Sequence, residues 1–317
     1  MDAGNPSQQV AGGTGNLMPP GLPPVLSRPI YYDGRTINLT RHTQSTVPPE
    51  FRVVHDDPVK VALGYAKSGI RVPFICAAHH RGPGLRHQDE RPTYEEDFCH
   101  RSNLFDTLTR TEPGMHVPRL YPIPATGGIF SDRVAVYLGP REDNYESLDP
   151  IPDLPVVSVS PVRNPGVKGN GTKYQYQKDE STMREKICGA LRICLHNNYD
   201  RVVIGDFGLG DGFHNPPQAV AETWRDLLLF DPDLCGQFES VDFAFVDPMQ
   251  STTQVLWDER RKFNEERRAD CSAKEGTFPY TLGGPLNSRR APTDMAIFES
   301  VFHPDEIKRV REVAASS

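Results

Sequence analysis

Residues 202–224, VVIGDFGLGDGFHNPPQAVAETW, predict a strand, a glycine-rich loop and a helix in direct succession. Val202, Val203 and Ile204 form a β-branched run that is typical of a buried strand, and Asn215 followed by two prolines marks the start of a helix. Apolar side chains at helical spacing on that helix predict one face that packs against a sheet. The stretch therefore indicates an α/β fold with the loop at one edge of its sheet.

The loop contains four glycines, Gly205, Gly208, Gly210 and Gly212. Glycine allows positive φ and close approach of the backbone to a ligand, and the start of the following helix favours an anion. This combination suits a phosphate or a pyrophosphate. It matches neither a P-loop, which needs a Gly-Lys-Ser/Thr run, nor the dinucleotide fingerprint, because Phe213 replaces the third glycine. A glycine-rich turn also forms where only tight geometry is required, so both interpretations remain open.

Strand and helix patterns divide the chain into three parts. Residues 1–28 are rich in Gly, Pro, Ser, Asn and Gln and predict a disordered segment. Residues 29–250 alternate strands and helices, which predicts one α/β domain with a mainly parallel sheet covered on both faces. Within it, residues 167–180 predict a polar surface loop and the apolar spacing after Met183 predicts a helix. Residues 251–317 predict a charged, solvated tail that is partly helical or irregular.

The composition excludes several classes of protein. The net charge of -7 argues against binding to duplex nucleic acid, which favours basic domains. The six cysteines lack a C-x-x-C pair, so they fit reduced thiols better than disulfides or a zinc site. No segment is apolar over the length of a membrane span, and the amino terminus lacks the features of a signal peptide. We therefore expect an intracellular protein of the cytoplasm or nucleus that does not bind membranes, with its oligomeric state left open.

A second segment with candidate catalytic residues is PTYEEDF, residues 92–98. Thr93 is a suitable N-cap, and Glu96 three residues later completes a capping box, which predicts a helix start. Glu95 and Glu96 would then lie in the first turn, about 100° apart around the axis. Paired carboxylates suit acid and base catalysis, but carboxylates in a first turn also stabilise a helix through its dipole, so a structural role remains open. The histidines nearby lack the spacing of a zinc motif, so we predict no metal.

Several segments together resemble the microbial-type poly(ADP-ribose) glycohydrolases over roughly residues 45–247. They are VPFICAA with HHRGPG, PTYEEDFCHRSNL, IFSDRVAVY, VVSVSPVRN and GDFGLGDGFHNPP, in that order along the chain. The resemblance implies a three-layer α/β/α, macrodomain-like domain with a mixed, largely parallel sheet. The signature of this family is a glycine triplet followed by Gln-Glu-Glu. In this sequence Pro83 replaces the middle glycine and Tyr94 replaces the glutamine.

The resemblance also implies site residues. Glu96 would be the general acid and base, and Glu95 would hydrogen-bond the ribose or the leaving group, with no cofactor. Two adjacent carboxylates would favour keeping one of them protonated near neutral pH. Asn164, at the carboxyl end of a predicted strand, lies where α/β sheets bind ligands. The further ligand-binding residues implied are Gly82, Gly84 and Tyr94 beside the ribose and Gly208, Leu209, Gly210, Asp211, Gly212 and Phe213 around the diphosphate.

The implied function is hydrolysis of the ribose glycosidic linkage in poly(ADP-ribose) or in ADP-ribose attached to proteins. Two other hypotheses remain open. One is a protein that binds ADP-ribose without turnover, which requires the glycine-rich loop but not Glu96. The other is a scaffold whose terminal segments carry the interactions.

Overall fold

The computed structural model describes residues 28–39, 45–84, 93–109, 120–123, 126–210, 212–274 and 290–316, so the segment predicted to be disordered lies almost entirely outside the described residues. The strands are Ile30–Asp33 (β1), Glu50–His55 (β2), Phe74–Ala77 (β3), Gly127–Ala135 (β4), Asp153–Val159 (β5), Val167–Lys168 (β6), Lys173–Tyr174 (β7), Arg201–Ile204 (β8) and Ser240–Phe245 (β9). The α-helices are Pro58–Ala66 (α1), Tyr94–Arg101 (α2), Leu104–Thr109 (α3), Gln177–His196 (α4), Pro217–Phe230 (α5), Thr252–Lys274 (α6), Asp294–Val301 (α7) and Pro304–Ala315 (α8). Over these ranges no helix carries the length of uncharged apolar sequence that a bilayer span requires.

Within the described residues, seven strands form one mixed sheet in the order β1-β4-β5-β3-β8-β9-β2, and β6 pairs with β7 in a separate hairpin. Strands β5, β3, β8, β9 and β2 are parallel to one another. Strand β4 runs antiparallel to β5, and β1 runs antiparallel to β4. The sheet is therefore mixed and largely parallel, as predicted, and the carboxyl ends of its five parallel strands lie at one edge.

Helices cover both faces of this sheet. Successive residues of a strand point to opposite faces, so Phe74 and Cys76 of β3 pack under α1, α2 and α3, whereas Ile75 packs against the other face with α4, α5 and α7. Trp224 of α5 is fully buried on that second face, where its ring meets the edge of the Phe207 ring with centroids 5.6 Å apart. The predicted three-layer α/β/α class is confirmed.

Helix α4 begins earlier than the apolar spacing indicated. It starts at Gln177 rather than near Met183, and β6 and β7 occupy part of the segment predicted to be a polar surface loop. Asp179 and Glu180 in its first turn are polar and stabilise a helix start through the dipole. The first turn therefore looks like a loop in sequence, because it carries almost none of the apolar residues that define the buried face.

The described part of the C-terminal region packs into the core. The ring of Phe298 in α7 contacts those of Phe243 and Phe245 in β9, with centroids 5.1 and 5.2 Å apart. The ring of Phe302 lies 4.8 Å from that of Phe51 in β2. This edge of the sheet is therefore covered by residues from the region that the sequence predicted to be a solvated tail.

Candidate active site

The segments predicted to form a site follow the carboxyl ends of neighbouring parallel strands. The β3 loop, residues 78–84, follows β3, and the glycine loop, residues 205–216, follows β8. The segment at 160–166 follows β5, which pairs with β3 on the side away from β8. In open α/β sheets ligands bind at this edge, beyond the carboxyl ends of the strands. The topology therefore brings the predicted segments to the edge where a ligand is expected.

The glycine loop has a backbone conformation that requires glycine at two positions. Gly208 has φ of 79° and Gly210 has φ of 71°, in the left-handed region that other residues rarely adopt. A Cβ atom on Gly208 would lie 2.7 Å from Cε of Met183, and one on Gly210 would lie 2.9 Å from Oε1 of Gln250. The dihedral angles therefore favour glycine at both positions, and a side chain would also displace the end of Met183 or of Gln250.

Most amides of the glycine loop donate to protein oxygens. The amide of Gly210 donates to Oγ1 of Thr252 at 2.7 Å. The amides of Leu209, Phe213, His214 and Asn215 donate to backbone carbonyls within the loop. Among the described residues, those of Gly205, Gly208 and Gly212 have no backbone acceptor. Of these three, Gly208 and Gly212 lie in the segment assigned to a phosphate, and they form a smaller set of donors than the sequence indicated.

Asn215 fixes the shape of the loop, a role that the sequence analysis missed because it assigned this residue only to the helix start. Its side chain is fully buried, and Nδ2 donates to the carbonyls of Val162 at 2.6 Å and Gly208 at 2.8 Å. The hydroxyl of Tyr174 donates to its Oδ1 at 3.0 Å. Asn215 thus joins the loop after β8 to the segment after β5.

The acidic segment, residues 93–96, begins helix α2 as the sequence predicted. Thr93 is the N-cap, and its Oγ1 accepts a hydrogen bond from the amide of Glu96 at 3.3 Å. Glu95 is 1% exposed, and its Oε2 accepts the amides of His79 at 2.8 Å and Gly84 at 3.3 Å. Glu96 is half-buried. The two carboxylates therefore have different environments, with Glu95 fixed to the β3 loop and Glu96 nearer to solvent.

Burial raises the pKa of Glu95 to about 8, although its hydrogen bonds from the His79 and Gly84 amides favour the ionised form. Glu95 is therefore mostly protonated at neutral pH. The sequence analysis expected one protonated member of the pair because of mutual repulsion. In the structure the main cause is the removal of Glu95 from water. Its second oxygen, Oε1, has no hydrogen-bond partner among the described residues.

Tyr94 belongs to a buried polar cluster on the side of α2 that faces α1. Its hydroxyl donates to Oδ2 of Asp57 at 2.7 Å and accepts from the guanidinium of Arg101 at 2.6 Å. Arg101 is 1% exposed and also pairs with Asp57 and, at 2.8 Å, with Asp97. The Tyr94 hydroxyl is therefore engaged between helices α1 and α2, in a cluster that no sequence pattern indicated.

The structure brings several predicted site residues together. A Cβ atom on Gly212 would lie 3.5 Å from Cγ2 of Thr93, so the glycine loop touches the acidic segment. The amide of Asn164 donates to the carbonyl of Phe213 at 2.8 Å. Gly84 contacts Glu95 as described above, Gly82 is buried in the same β3 loop, and the side chain of Leu209 packs in the core. Asp211 lies outside the described residues.

No protein-family model and no curated protein sequence matches this chain significantly. Among solved structures, the chain is similar to poly(ADP-ribose) glycohydrolase from Thermomonospora curvata, with a TM-score of 0.57, 21% identity and coverage of 71% of this chain and 82% of that chain. The same enzyme bound to the inhibitor ADP-HPD gives a TM-score of 0.54, 20% identity and coverage of 74% and 84%.

The poly(ADP-ribose) glycohydrolase from Deinococcus radiodurans in complex with ADP-ribose gives a TM-score of 0.51, 22% identity and coverage of 64% of this chain and 79% of that chain. The similarity extends over most of each solved chain. The α/β/α arrangement that the resemblance implied is therefore found by comparison of structures as well. The chain has the fold of the bacterial poly(ADP-ribose) glycohydrolases.

Proposed function

We propose that this protein hydrolyses the ribose glycosidic linkage of poly(ADP-ribose) or of ADP-ribose attached to proteins. The observation that carries the proposal is the proximity of Gly212 to Thr93, whose Cγ2 would lie 3.5 Å from a Cβ atom on Gly212, so that the acidic segment and the glycine loop are neighbours at the carboxyl edge of the sheet. A carboxylate pair and a phosphate-binding loop are the two features that a glycohydrolase for an ADP-ribose linkage requires. The shared fold with enzymes of that activity supports the same proposal.

In this proposal the glycine loop binds the diphosphate. The amides of Gly208 and Gly212 are the donors, because they have no backbone acceptor among the described residues, whereas those of Leu209, Gly210 and Phe213 donate to protein oxygens. Phe213 and Asn164, which are joined by a backbone hydrogen bond, line the next part of the site. Gly82 and Gly84 in the β3 loop are assigned to the ribose, and the positive φ of Gly84 is a conformation that favours glycine. Leu209 contributes by packing in the core beneath the loop. The assignment of Asp211 to the diphosphate stays a prediction.

The chemistry is assigned to Glu96. In the first step its carboxyl group donates a proton to the leaving oxygen while the bond from the anomeric carbon to that oxygen breaks, through an oxocarbenium-like transition state. In the second step its carboxylate takes a proton from water, and the water oxygen bonds to the anomeric carbon. Glu96 ends protonated, ready for another cycle. This residue is the better exposed of the two glutamates, which supports its assignment over Glu95.

Glu95 supports the reaction from behind the β3 loop. Its Oε2 accepts hydrogen bonds from the amides of His79 and Gly84, and these bonds fix the β3 loop, which we assign to the ribose. Because Glu95 is mostly neutral at pH 7, it adds little negative charge beside Glu96. The predicted contact of Glu95 with the ribose or the leaving group stays a prediction.

A binding protein without turnover is the second candidate function. It is favoured by the two positions at which the sequence departs from the family signature. Pro83 has no N–H to offer in the β3 loop, and the Tyr94 hydroxyl is engaged by Asp57 and Arg101. Neither residue supplies the amide that a glycine or a glutamine would.

The two functions are separated by measuring ADP-ribose release together with ADP-ribose binding. Wild type, Glu96→Gln and the exposed control Glu142→Gln are incubated with poly(ADP-ribose) and with mono-ADP-ribosylated protein, and calorimetry measures binding of ADP-ribose to each. We expect release by wild type and by Glu142→Gln, and a loss of about 10²-fold or more in Glu96→Gln with binding retained. Binding without release by wild type would establish the second function, and equal release by Glu96→Gln would overturn the assignment of Glu96.

A further inference from the structure

Hydrogen bonds join the glycine loop to helices α6 and α7 in a closed set, here called the loop ring, which consists of Asp206, Gly210, Gln250, Thr252 and Asp294. The Gly210 amide donates to Oγ1 of Thr252 at 2.7 Å, and that hydroxyl donates to Oδ2 of Asp294 at 2.6 Å. Nε2 of Gln250 donates to the same carboxylate oxygen at 3.1 Å. The side chain of Gln250 also interacts with Asp206 in the glycine loop, where it partly offsets the increase in the Asp206 pKa that burial causes.

The loop ring is buried. Thr252 and Asp294 are both 0% exposed. Two further hydrogen bonds connect members of the ring. The Thr252 amide donates to Oδ1 of Asp294 at 2.9 Å, and the Asp294 amide donates to the Gln250 carbonyl at 2.8 Å. Buried polar groups are costly when one partner of a hydrogen bond is removed. The ring is therefore a rigid support whose members cannot be exchanged independently.

The buried carboxylate in this ring joins α7 to the start of α6, because Oδ1 of Asp294 accepts a hydrogen bond from the Thr252 amide. Burial raises the pKa of Asp294 to about 6, so an ionised group is retained there at a cost at neutral pH. Three donors compensate that cost, namely Nε2 of Gln250 and the amide and hydroxyl of Thr252. The same hydroxyl accepts a hydrogen bond from the Gly210 amide. The Asp294 carboxylate is therefore connected to the glycine loop through the Thr252 hydroxyl.

We propose that Thr252 and Asp294 are positioning residues for ADP-ribose, which hold the Gly210 amide inside the protein and so direct the amides of Gly208 and Gly212 toward the diphosphate. This inference rests on the proposed function and extends it to the C-terminal region. It assigns a role to α7, which lies more than forty residues beyond Thr252 in the chain. The glycine loop would then bind a diphosphate only while α7 is docked.

The test replaces the Thr252 hydroxyl with a methyl group. In Thr252→Val the side chain keeps its shape, but the Gly210 amide loses its acceptor and Asp294 loses a donor. We expect ADP-ribose affinity measured by calorimetry to fall by about tenfold, the effect of losing a hydrogen bond to a charged partner. We also expect faster hydrogen exchange of the Gly210 amide and, in the release assay, a rise in KM that exceeds any change in kcat.

The neighbouring Thr253 provides a matched control. It is also buried in the first turn of α6, but its hydroxyl has no hydrogen-bond partner among the described residues. Thr253→Val should therefore leave both affinity and exchange at the Gly210 amide close to wild type. Thr252→Ser, which keeps the hydroxyl, should recover most of the affinity lost in Thr252→Val. Both results would distinguish positioning from general destabilisation of α6.

Equal affinity and equal exchange in wild type and Thr252→Val would overturn the inference. So would equal losses in Thr252→Val and Thr253→Val, because they would indicate a nonspecific effect on the helix. If wild type bound no ADP-ribose, the proposed function would fail, and with it the assignment to ADP-ribose. The exchange measurement would then still decide separately whether Thr252 holds the Gly210 amide.

Discussion

The two sides of the candidate site are stabilised by different kinds of interaction. On one side, the conformation of the glycine loop depends on positive φ at Gly208 and Gly210, and buried side chains support it from beneath. On the other side, the acidic segment is held by buried side chains, with Glu95 bonded to the β3 loop and Tyr94 bonded to Asp57 and to the buried Arg101.

This difference predicts how each side fails. A backbone conformation that only glycine adopts is lost when a Cβ atom is added, at any pH. A position fixed by buried ionisable groups is lost when one partner is removed, and its stability depends on pH. A glycine-dependent backbone conformation can be predicted from the positions of glycines in the sequence. A position fixed by buried ionisable groups cannot, because it depends on which side chains the fold removes from water.

The largest effect is expected from Arg101→Met, which removes the cation from the buried cluster on the acidic side. The Asp57 carboxylate, only 5% exposed, would be left without its charged partner. We expect the free energy of unfolding to fall by about 3–5 kcal/mol, which is typical when one member of a buried ion pair is removed. Denaturation in urea measures the change.

The control for this variant is Arg35→Met, which breaks the exposed ion pair with Glu185. Surface pairs contribute about 0–1 kcal/mol, so unfolding of this variant should change little. Similar losses in Arg101→Met and Arg35→Met would show that the buried cluster does not anchor α2.

On the glycine side, Gly210→Ala should lower the free energy of unfolding by about 2 kcal/mol, because alanine is strained at positive φ. Its Cβ atom would also lie 2.9 Å from Oε1 of Gln250, so either this side chain or the loop must move, and ADP-ribose binding should be weakened or lost. Unfolding and calorimetric binding measure the two effects. Gly64→Ala is the matched control, since a Cβ on Gly64 in helix α1 meets no atom within 4 Å.

Alanine is favoured over glycine inside a helix, so Gly64→Ala should be neutral or stabilising by about 0.5–1 kcal/mol and should bind normally. Retained binding in Gly210→Ala would contradict the assignment of the glycine loop to the diphosphate.

A smaller effect, measured per pH unit, tests the buried carboxyl group on the acidic side. The pKa of Glu95 is raised from 4.5 to about 8, so between these values the folded protein keeps a proton that the unfolded chain has lost. The contribution of Glu95 to stability is therefore fully present below pH 4.5 and is lost as pH rises toward 8, by up to about 1.4 kcal/mol per pH unit. Glu95→Gln should remove this slope, which urea denaturation between pH 5 and 8 measures.

The exposed Glu142→Gln should keep the slope of wild type. Parallel curves for wild type and Glu95→Gln would mean that Glu95 is ionised in the folded protein. Glu95 would then add a full negative charge beside Glu96, contrary to the proposed mechanism.

Much of the fold was predictable from local pattern. The β-branched run at 202–204, the glycines after it and the Asn-Pro-Pro helix start correctly predicted β8, the loop and α5. The start of α4 and the whole of α7 were not predicted. Phe298 and Phe302 form a buried face only because strands β2 and β9 leave an uncovered edge there, and nothing in a charged segment indicates which partner will cover its apolar residues.

The site was predictable to the same extent. Glycines and a capping box indicated both of its segments, because these residues carry local conformational preferences. Asn215, Thr252 and Asp294 were missed, since a buried polar side chain has the same sequence signature as an exposed one. Thr252 and Asp294 are joined across 42 residues, so their pairing exists only in the folded chain. The cluster of Tyr94 and Arg101 was missed for the same reason.

The central claim is that the glycine loop and the acidic segment form one ADP-ribose site. The most direct measurement is hydrogen exchange of the wild-type protein with and without ADP-ribose, followed by peptides that cover residues 78–84, 93–98 and 205–216. We predict slower exchange in all three regions on addition of ADP-ribose, with no comparable change in the distant α8. Slower exchange in only one of the three regions, or in none of them, would contradict the claim that the two sides bind one ligand together.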